Sequence, residues 1–232
     1  MVSTFLGAHA VPEEYRNDPD SYVALVVNEM LPAVAGLDCR PRFCDVFCDI
    51  AAFSLRQTQR VLEAAQYCAF DLKLHVDEFE APGTTSLGVA LAATSVDHVV
   101  HTPPEEVRRL AASDSIAVAL PATTFGLGQH YYTPARLFLD SNGILALATD
   151  CNPGTSPCES MPFVIALACR YLHVAPTQAL VASTLNAAAA LGMADQIGSL
   201  QPGWAADALR LAVSRPLGLP CPHRDQRWED RC

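Results

Sequence analysis

Leu72-Lys73-Leu74-His75-Val76-Asp77-Glu78-Phe79 opens as a short β-like apolar run, carries a histidine near its end, and breaks into an acidic turn. Before it lies segment 55–70 and after it segment 86–93, each with apolar residues returning every three or four positions. A strand between two amphipathic helices is the unit from which parallel sheets are built. Outward in both directions the unit repeats. Strands are predicted at 4–11, 43–48, 72–76, 97–101, 116–121 and 144–149, with helices at 22–31, 55–70, 86–93, 104–112 and 133–139 between them.

Helix punctuation agrees with this reading. Ser54 is placed to cap the helix at 55–70, and Thr102-Pro103-Pro104-Glu105 reads as a capping box with proline at the first helical position. Two long helices, 158–173 and 176–191, follow the sixth strand, the second closed by Gly192 as a C′ residue. Residues 208–232 change character. They bring Arg210, Arg215, Arg224, Arg227 and Arg231 together with Pro216, Pro220 and Pro222 and show no period, so a folded unit over 1–207 and a loose tail over 208–232 are expected.

Composition narrows the function classes. A chain of 232 residues is short for an eight-stranded α/β barrel, usually about 250 residues, but 50% hydrophobic side chains and a mean hydropathy of +0.18 require a packed core. The net charge of -10 opposes phosphate backbones and anionic lipid, which argues against nucleic acid as a partner. No apolar run reaches the ~18 residues of a membrane span, and no basic region follows Met1, so neither membrane nor secretion is expected. Nine cysteines occur without a CxxC pair, and Cys44, Cys48, Cys151 and Cys169 lie in or beside apolar segments as reduced thiols would. The expectation is a cytoplasmic protein.

Chemistry in parallel βα architecture sits at the C-terminal ends of strands, where His75, His98 and Asp150 fall. On the last strand Ala146, Ala148 and Asp150 share a face, so small side chains lead to a carboxylate whose burial needs compensation. A divalent cation would supply it. Imidazole and carboxylate together suit zinc or iron, which lower the pKa of bound water to about 7 and so imply hydrolysis. Taken singly, each residue has a plainer reading: a histidine at a strand end is commonly satisfied by backbone or solvent, Glu78 reads as a solvated loop charge, and Asn152-Pro153-Gly154-Thr155 as a turn. His101, His130, His173 and His223 read as surface or helix-end residues.

Five ordered motifs, Thr4 through Pro12 (TFLGAHAVP), Asp45-Val46-Phe47-Cys48, Lys73 through Phe79, Asp97-His98 and Ala148 through Thr155 (ATDCNPGT), resemble the imidazolonepropionase family of the amidohydrolase superfamily. The resemblance, which runs to about Asp207, implies a partial (β/α)8 TIM-type barrel of the metal-dependent hydrolase kind, with about six parallel strands and surrounding helices. It also implies hydrolysis of the cyclic amide of 4-imidazolone-5-propanoate to N-formimidoyl-L-glutamate, a step of histidine degradation. By the same resemblance His75 and Asp150 are metal ligands. His98 polarises the scissile carbonyl, Asp150 also shuttles a proton, and Glu78 acts beside them. His9, Glu78, Asn152, Gly154 and Thr155 contact substrate or product.

The sequence also departs from the family pattern. The family's His-x-His metal pair occurs nowhere in the chain, and Met1 falls where the family's third strand begins, so the N-terminal strands and the small β domain are expected to be lacking. With fewer protein ligands the cation, zinc or iron, is expected to bind weakly. Six strands cannot close an eight-stranded barrel, so a homo-oligomer or completion by a missing N-terminal segment is expected. Two hypotheses follow: a cyclic amidohydrolase of this or a related substrate, or a non-catalytic truncated fragment with an inherited fold and an incomplete metal site.

Overall fold

The computed structural model describes residues 1–50 and 52–205. Six strands, β1 (Thr4–Ala8), β2 (Phe43–Cys48), β3 (Asp71–Val76), β4 (Ser95–His98), β5 (Ile116–Ala119) and β6 (Leu145–Leu147), form one parallel sheet in sequence order. This is the strand ladder of an α/β barrel, left open: among the described residues β1 and β6 do not pair with each other. The expected loose tail at 208–232 and the boundary at 207 lie outside the described residues.

All six expected strands are present, but most are shorter. β1 stops at Ala8, β4 at His98, β5 at Ala119 and β6 at Leu147, because the residues beyond turn away from the ladder into the loops at the sheet's C-terminal edge. Helices α1 (Pro19–Leu25) and α2 (Leu31–Ala35) are joined by a π-helical segment, Val26–Met30, where the sequence suggests one shorter helix. Then come α3 (Leu55–Tyr67), α4 (Thr84–Ala90), α5 (Pro104–Ala111), α6 (Pro121–Gly126) and α7 (Ala135–Asp140). Helix α6 begins at the last residue of the expected strand 116–121, in a stretch where the sequence suggests no helix. Its proline at the first turn lacks only a donor that a helix start leaves unused anyway, and so starts a helix here.

Beyond β6, α8 (Met161–Tyr171) is followed by α9 (Pro176–Ala182) and α10 (Leu185–Ala190), two helices where one was expected. The break falls at Ser183 and Thr184, whose hydroxyls donate to the carbonyls of Ala179 and Leu180 four residues back. Such back-bonding bends and weakens a helix. Gly192 does take the left-handed conformation, at φ 64°, and the Met193 N–H returns 2.8 Å to the Ala188 carbonyl, so α10 ends as expected.

Capping proves right at one helix and wrong at another. Ser54 and Gln57 form a reciprocal capping box at α3. At α5 the flanking residue is Pro103 with no side-chain cap, and the Thr102 hydroxyl donates instead to Asp77 at 2.6 Å. The Thr102 side chain is thus directed to a buried carboxylate, and its oxygen accepts no N–H from the start of α5.

The two faces of the sheet bury different sets. Leu72, Leu74, Val76, Val96, Ala117, Ala119, Leu145 and Leu147 pack outward against the helices in the main core. Ile116, Val118, Leu120 and Ala146 pack inward with Ala190, so the end of α10 closes the floor of the half-barrel. Cys44 and Cys48 are buried free thiols as expected, whereas Cys151 is exposed and Cys169 is disulfide-bonded rather than a reduced thiol. Among the described residues no helix is long and apolar enough to cross a membrane.

The α3 cap gives a direct check on this fold. Ser54→Ala should lower the unfolding free energy by about 1 kcal/mol, and Ser54→Asp should restore most of it, as read from urea midpoints at constant slope.

Candidate active site

Register brings two rows of side chains across the inner face of the sheet. Asp45, Lys73 and Ser95 are paired neighbours on β2, β3 and β4, and Phe47, His75 and Asp97 form the next row toward the C-terminal edge. Side chains two apart on a strand share a face, so both rows point into the half-barrel. His75 Nδ1 lies 2.9 Å from a carboxylate oxygen of Asp45, which is only 3% exposed. A cation binding at Nε2 would displace the proton there and leave the Nδ1 proton donated to Asp45.

The three candidates at the strand ends gather at this edge. The His98 ring centroid is 5.5 Å from that of His75, and His98 Nε2 is 3.6 Å from Glu78 Oε2. Glu78 is buried at 6% exposure rather than solvated. His9, exposed beyond β1, stacks on Phe47 at 5.4 Å and sets its edge toward His75 at 5.8 Å. Asp150 reaches the group through its field, acting on His75, Glu78 and His9, while its Oδ2 accepts a 2.5 Å hydrogen bond from Thr123 on α6.

The 152–155 loop is shaped from within. Asn152 Oδ1 accepts the backbone N–H groups of Gly154 and Thr155 at 2.9 and 2.8 Å, and its Nδ2 donates to the Asp150 carbonyl at 2.7 Å. Asn152 therefore fixes the turn, leaving Gly154 exposed and Thr155 half-buried beside it. Gly126 on α6 packs so closely on the Thr155 carbonyl that no side chain fits there.

Burial and charge spread the acidities of these groups. Burial disfavours the imidazolium of His75, but the charge and hydrogen bond of Asp45, aided by Asp97 and Asp150, prevail and push its pKa up to about 9. Burial, followed by the positive charges of His75 and His9, drives His98 down to about 3, so it is neutral at ordinary pH. Burial and the Asp150 charge lift Glu78 to about 7, against the pull of His75. Groups of divergent acidity in one pocket are the usual equipment of acid–base catalysis.

Sequence reasoning missed several participants. Among the described residues, the metal-compatible trio whose ligand atoms lie within 4.8 Å of one another is Asp45, His75 and Asp97, without Asp150. Asp45 and Asp97 had a visible signal, an aspartate inside an apolar strand, which is not placed there without a partner. Asp49 was also missed. Its carboxylate accepts the N–H groups of Glu78 (2.9 Å), Phe79 (2.9 Å) and Glu80 (3.2 Å), and so holds the loop that carries Glu78.

The donor set fits a divalent cation. An imidazole with its far nitrogen secured by a carboxylate, further carboxylates nearby and a neutral histidine opposite are what a borderline metal ion requires. His98 Nδ1, moreover, is a buried polar atom with no hydrogen-bond partner among the described residues.

Residues 73–217 match the model of the amidohydrolase family, and the chain belongs to that family. It is 54% identical over 226 residues to an imidazolonepropionase of Herpetosiphon aurantiacus, covering 94% of this chain and 53% of that protein. To an imidazolonepropionase of Chloroflexus aggregans it is 44% identical over 236 residues, covering 98% and 53%. The chain thus spans about half the length of the curated relatives it matches. Among solved structures, a zinc-bound adenosine deaminase of Xanthomonas campestris shares the fold at a TM-score of 0.66 with 19% identity, covering 87% of this chain and 50% of that one. A guanine deaminase of C. acetobutylicum does so at 0.67 with 13% identity, covering 88% and 54%.

Two measurements check this geometry. Asp49→Ala should leave the N–H groups of Glu78, Phe79 and Glu80 without their shared acceptor, the first of them buried, destabilise the chain by about 1–3 kcal/mol, and speed amide exchange at these three residues above all. Glu78, whose folded pKa is raised from 4.5, favours its neutral form in the fold. That contribution is complete below pH 4.5 and lost as pH rises through about 7. A carbon-13 titration of the metal-free chain should place the Glu78 midpoint near 7, and Asp150→Asn should lower it.

Proposed function

We propose that this site hydrolyses a cyclic amide, 4-imidazolone-5-propanoate, to N-formimidoyl-L-glutamate with one divalent metal, zinc or iron. The observation that carries the reading is the meeting of His75, His98 and Glu78 at the C-terminal edge of the parallel sheet, with His75 Nδ1 secured by Asp45. The relatives named imidazolonepropionase support the choice of substrate. His75 and Asp150 would hold the metal. When bound, it supplies the Lewis acidity that makes water a nucleophile near neutral pH.

The remaining work falls to the chain's own groups. Water adds across the ring amide: oxygen bonds to the carbonyl carbon, the C–N bond breaks, and the nitrogen takes a proton. His98, kept neutral by burial, is able to donate a hydrogen bond to the carbonyl oxygen as negative charge grows there. Asp150, steadied by Thr123, takes the water proton and returns it to the departing nitrogen. Glu78, near its midpoint at neutral pH, exchanges protons readily beside them. His9 and the Asn152, Gly154 and Thr155 loop flank the substrate. The unit over 1–207 would act in the cytoplasm on this small molecule.

A second reading has an observation of its own. The sheet is open, and His75 is the single imidazole in the metal-compatible trio among the described residues. A chain with the inherited fold, weak metal affinity and no turnover by itself fits both facts, and a second copy or a further segment would then complete the barrel. Zinc and ferrous ion titrations followed by the ultraviolet absorbance of imidazolone propionate separate the readings. Turnover by the loaded chain, with His75→Asn weakening metal binding tenfold or more and His173→Asn leaving it unchanged, supports the hydrolase. A loaded chain that leaves the absorbance constant supports the second reading.

A further inference from the structure

Lys73 is the chain's only lysine, and it is buried at 8% exposure on the inner face of β3, one row below His75. A lone ammonium in that position needs a reason, because buried cations are retained only where they are fully engaged. Its Nζ donates 2.7 Å to Ser95 Oγ and 2.9 Å to the Ala190 carbonyl at the end of α10, and sits 4.9 Å from the centre of the Phe43 ring. Ser95 Oγ in turn donates 2.9 Å to Asp97 Oδ1. Asp97 is the third member of the trio with Asp45 and His75.

The line Lys73, Ser95, Asp97, His75 therefore runs from the floor of the half-barrel to the functional edge. Its direction of donation is fixed at the start, since an ammonium has only donors and leaves the Ser95 hydroxyl free to spend its proton on Asp97. Ser95 thereby occupies Asp97 Oδ1. An unheld Asp97 would be free to compete with Asp45 for the His75 ring. The same ammonium satisfies a carbonyl that the end of α10 leaves without a helical partner, while Arg42 takes the Gly192 carbonyl at 2.9 Å.

We propose that Lys73 is a positioning residue for His75: acting through Ser95, it holds Asp97 in place behind the imidazole and ties that support to the docking of α10. The inference rests on the reading of His75 as a metal-binding residue, and its test keeps the two apart.

The chain is labelled with nitrogen-15 histidine and lysine, so that Lys73 gives the single Nζ resonance and the His75 ring signals are assigned by their loss in His75→Asn. In Ser95→Ala, which removes only the bridging hydroxyl, the Lys73 Nζ and His75 ring signals should move and zinc affinity, read by chelator competition, should fall about 10- to 100-fold. Ser95→Thr, which keeps the hydroxyl, should restore all three. Lys73→Met should reproduce the Ser95→Ala effects on His75 and zinc and also lower the melting temperature. If Ser95→Ala leaves the His75 signals and zinc affinity unchanged, the proposal is overturned and Lys73 only closes the floor. If the unaltered chain takes up no zinc, the metal reading fails, and the His75 ring signals alone decide the proposal.

Discussion

The hydrogen bond between His75 Nδ1 and Asp45 is the constraint on which the site turns. Its two partners come from adjacent strands and are offset along them, so they meet only because β2 and β3 run parallel in a register that pairs Asp45 with Lys73 and Phe47 with His75. A shift of β3 by one residue would send His75 into the helical layer, where Leu74 now packs, and away from Asp45. The bond also decides which ring nitrogen faces the mouth. A carboxylate at 3% exposure is tolerable only with such a partner, so removing either one would leave a buried polar group uncompensated.

A second feature of the mouth is backbone strain, and it is not spread evenly. Ala69, Ala92, Asn142 and His173 take the left-handed conformation just past α3, α4, α7 and α8, where it serves to end a helix. Asp77, His98, Val99 and Asp150 take it at the ends of strands or just past them, where no helix needs ending. Such conformations each cost on the order of 1–3 kcal/mol and persist only where the surroundings hold them. Threonine hydroxyls from the outer layer do so here: Thr85 and Thr102 on Asp77, Thr133 on the His98 carbonyl and Thr123 on Asp150. The turn at each strand end is what swings the next side chain toward the pocket rather than along the strand.

This division explains what could be read from the sequence. The repeating βα pattern exposed all six strands and most helices, because a residue's membership of a sheet or helix face is written in its spacing. His75, His98 and Asp150 could be found because strand ends are visible as the points where apolar runs stop. Asp45, Asp49 and Asp97 were passed over, since their roles depend on a neighbouring strand or loop that lies about 30 residues away in the chain for Asp45 and Asp49. Lys73 carries no local signal for the same reason: its partners are a serine 22 residues on and a carbonyl 117 residues on. The cap expected at Thr102 likewise fails to form where the hydroxyl finds Asp77, a partner that no local window contains.

The two free edges of the sheet are not equivalent, and the difference falls on the side of the site. At β6 the outer edge is covered, because α7, α9 and α10 pack against it and Asn186 Nδ2 donates 2.8 Å to the Leu145 carbonyl. At β1, Thr4 and Leu6 are exposed, and among the described residues its pairing is with β2 alone. His9, exposed, extends from this edge with its ring against Phe47 and His75. Among the described residues it is therefore the β1 side, next to His9, that leaves its backbone groups unpaired. Exposed strand edges recruit strands, so the same unpaired ladder that leaves the pocket open is the surface most able to complete it.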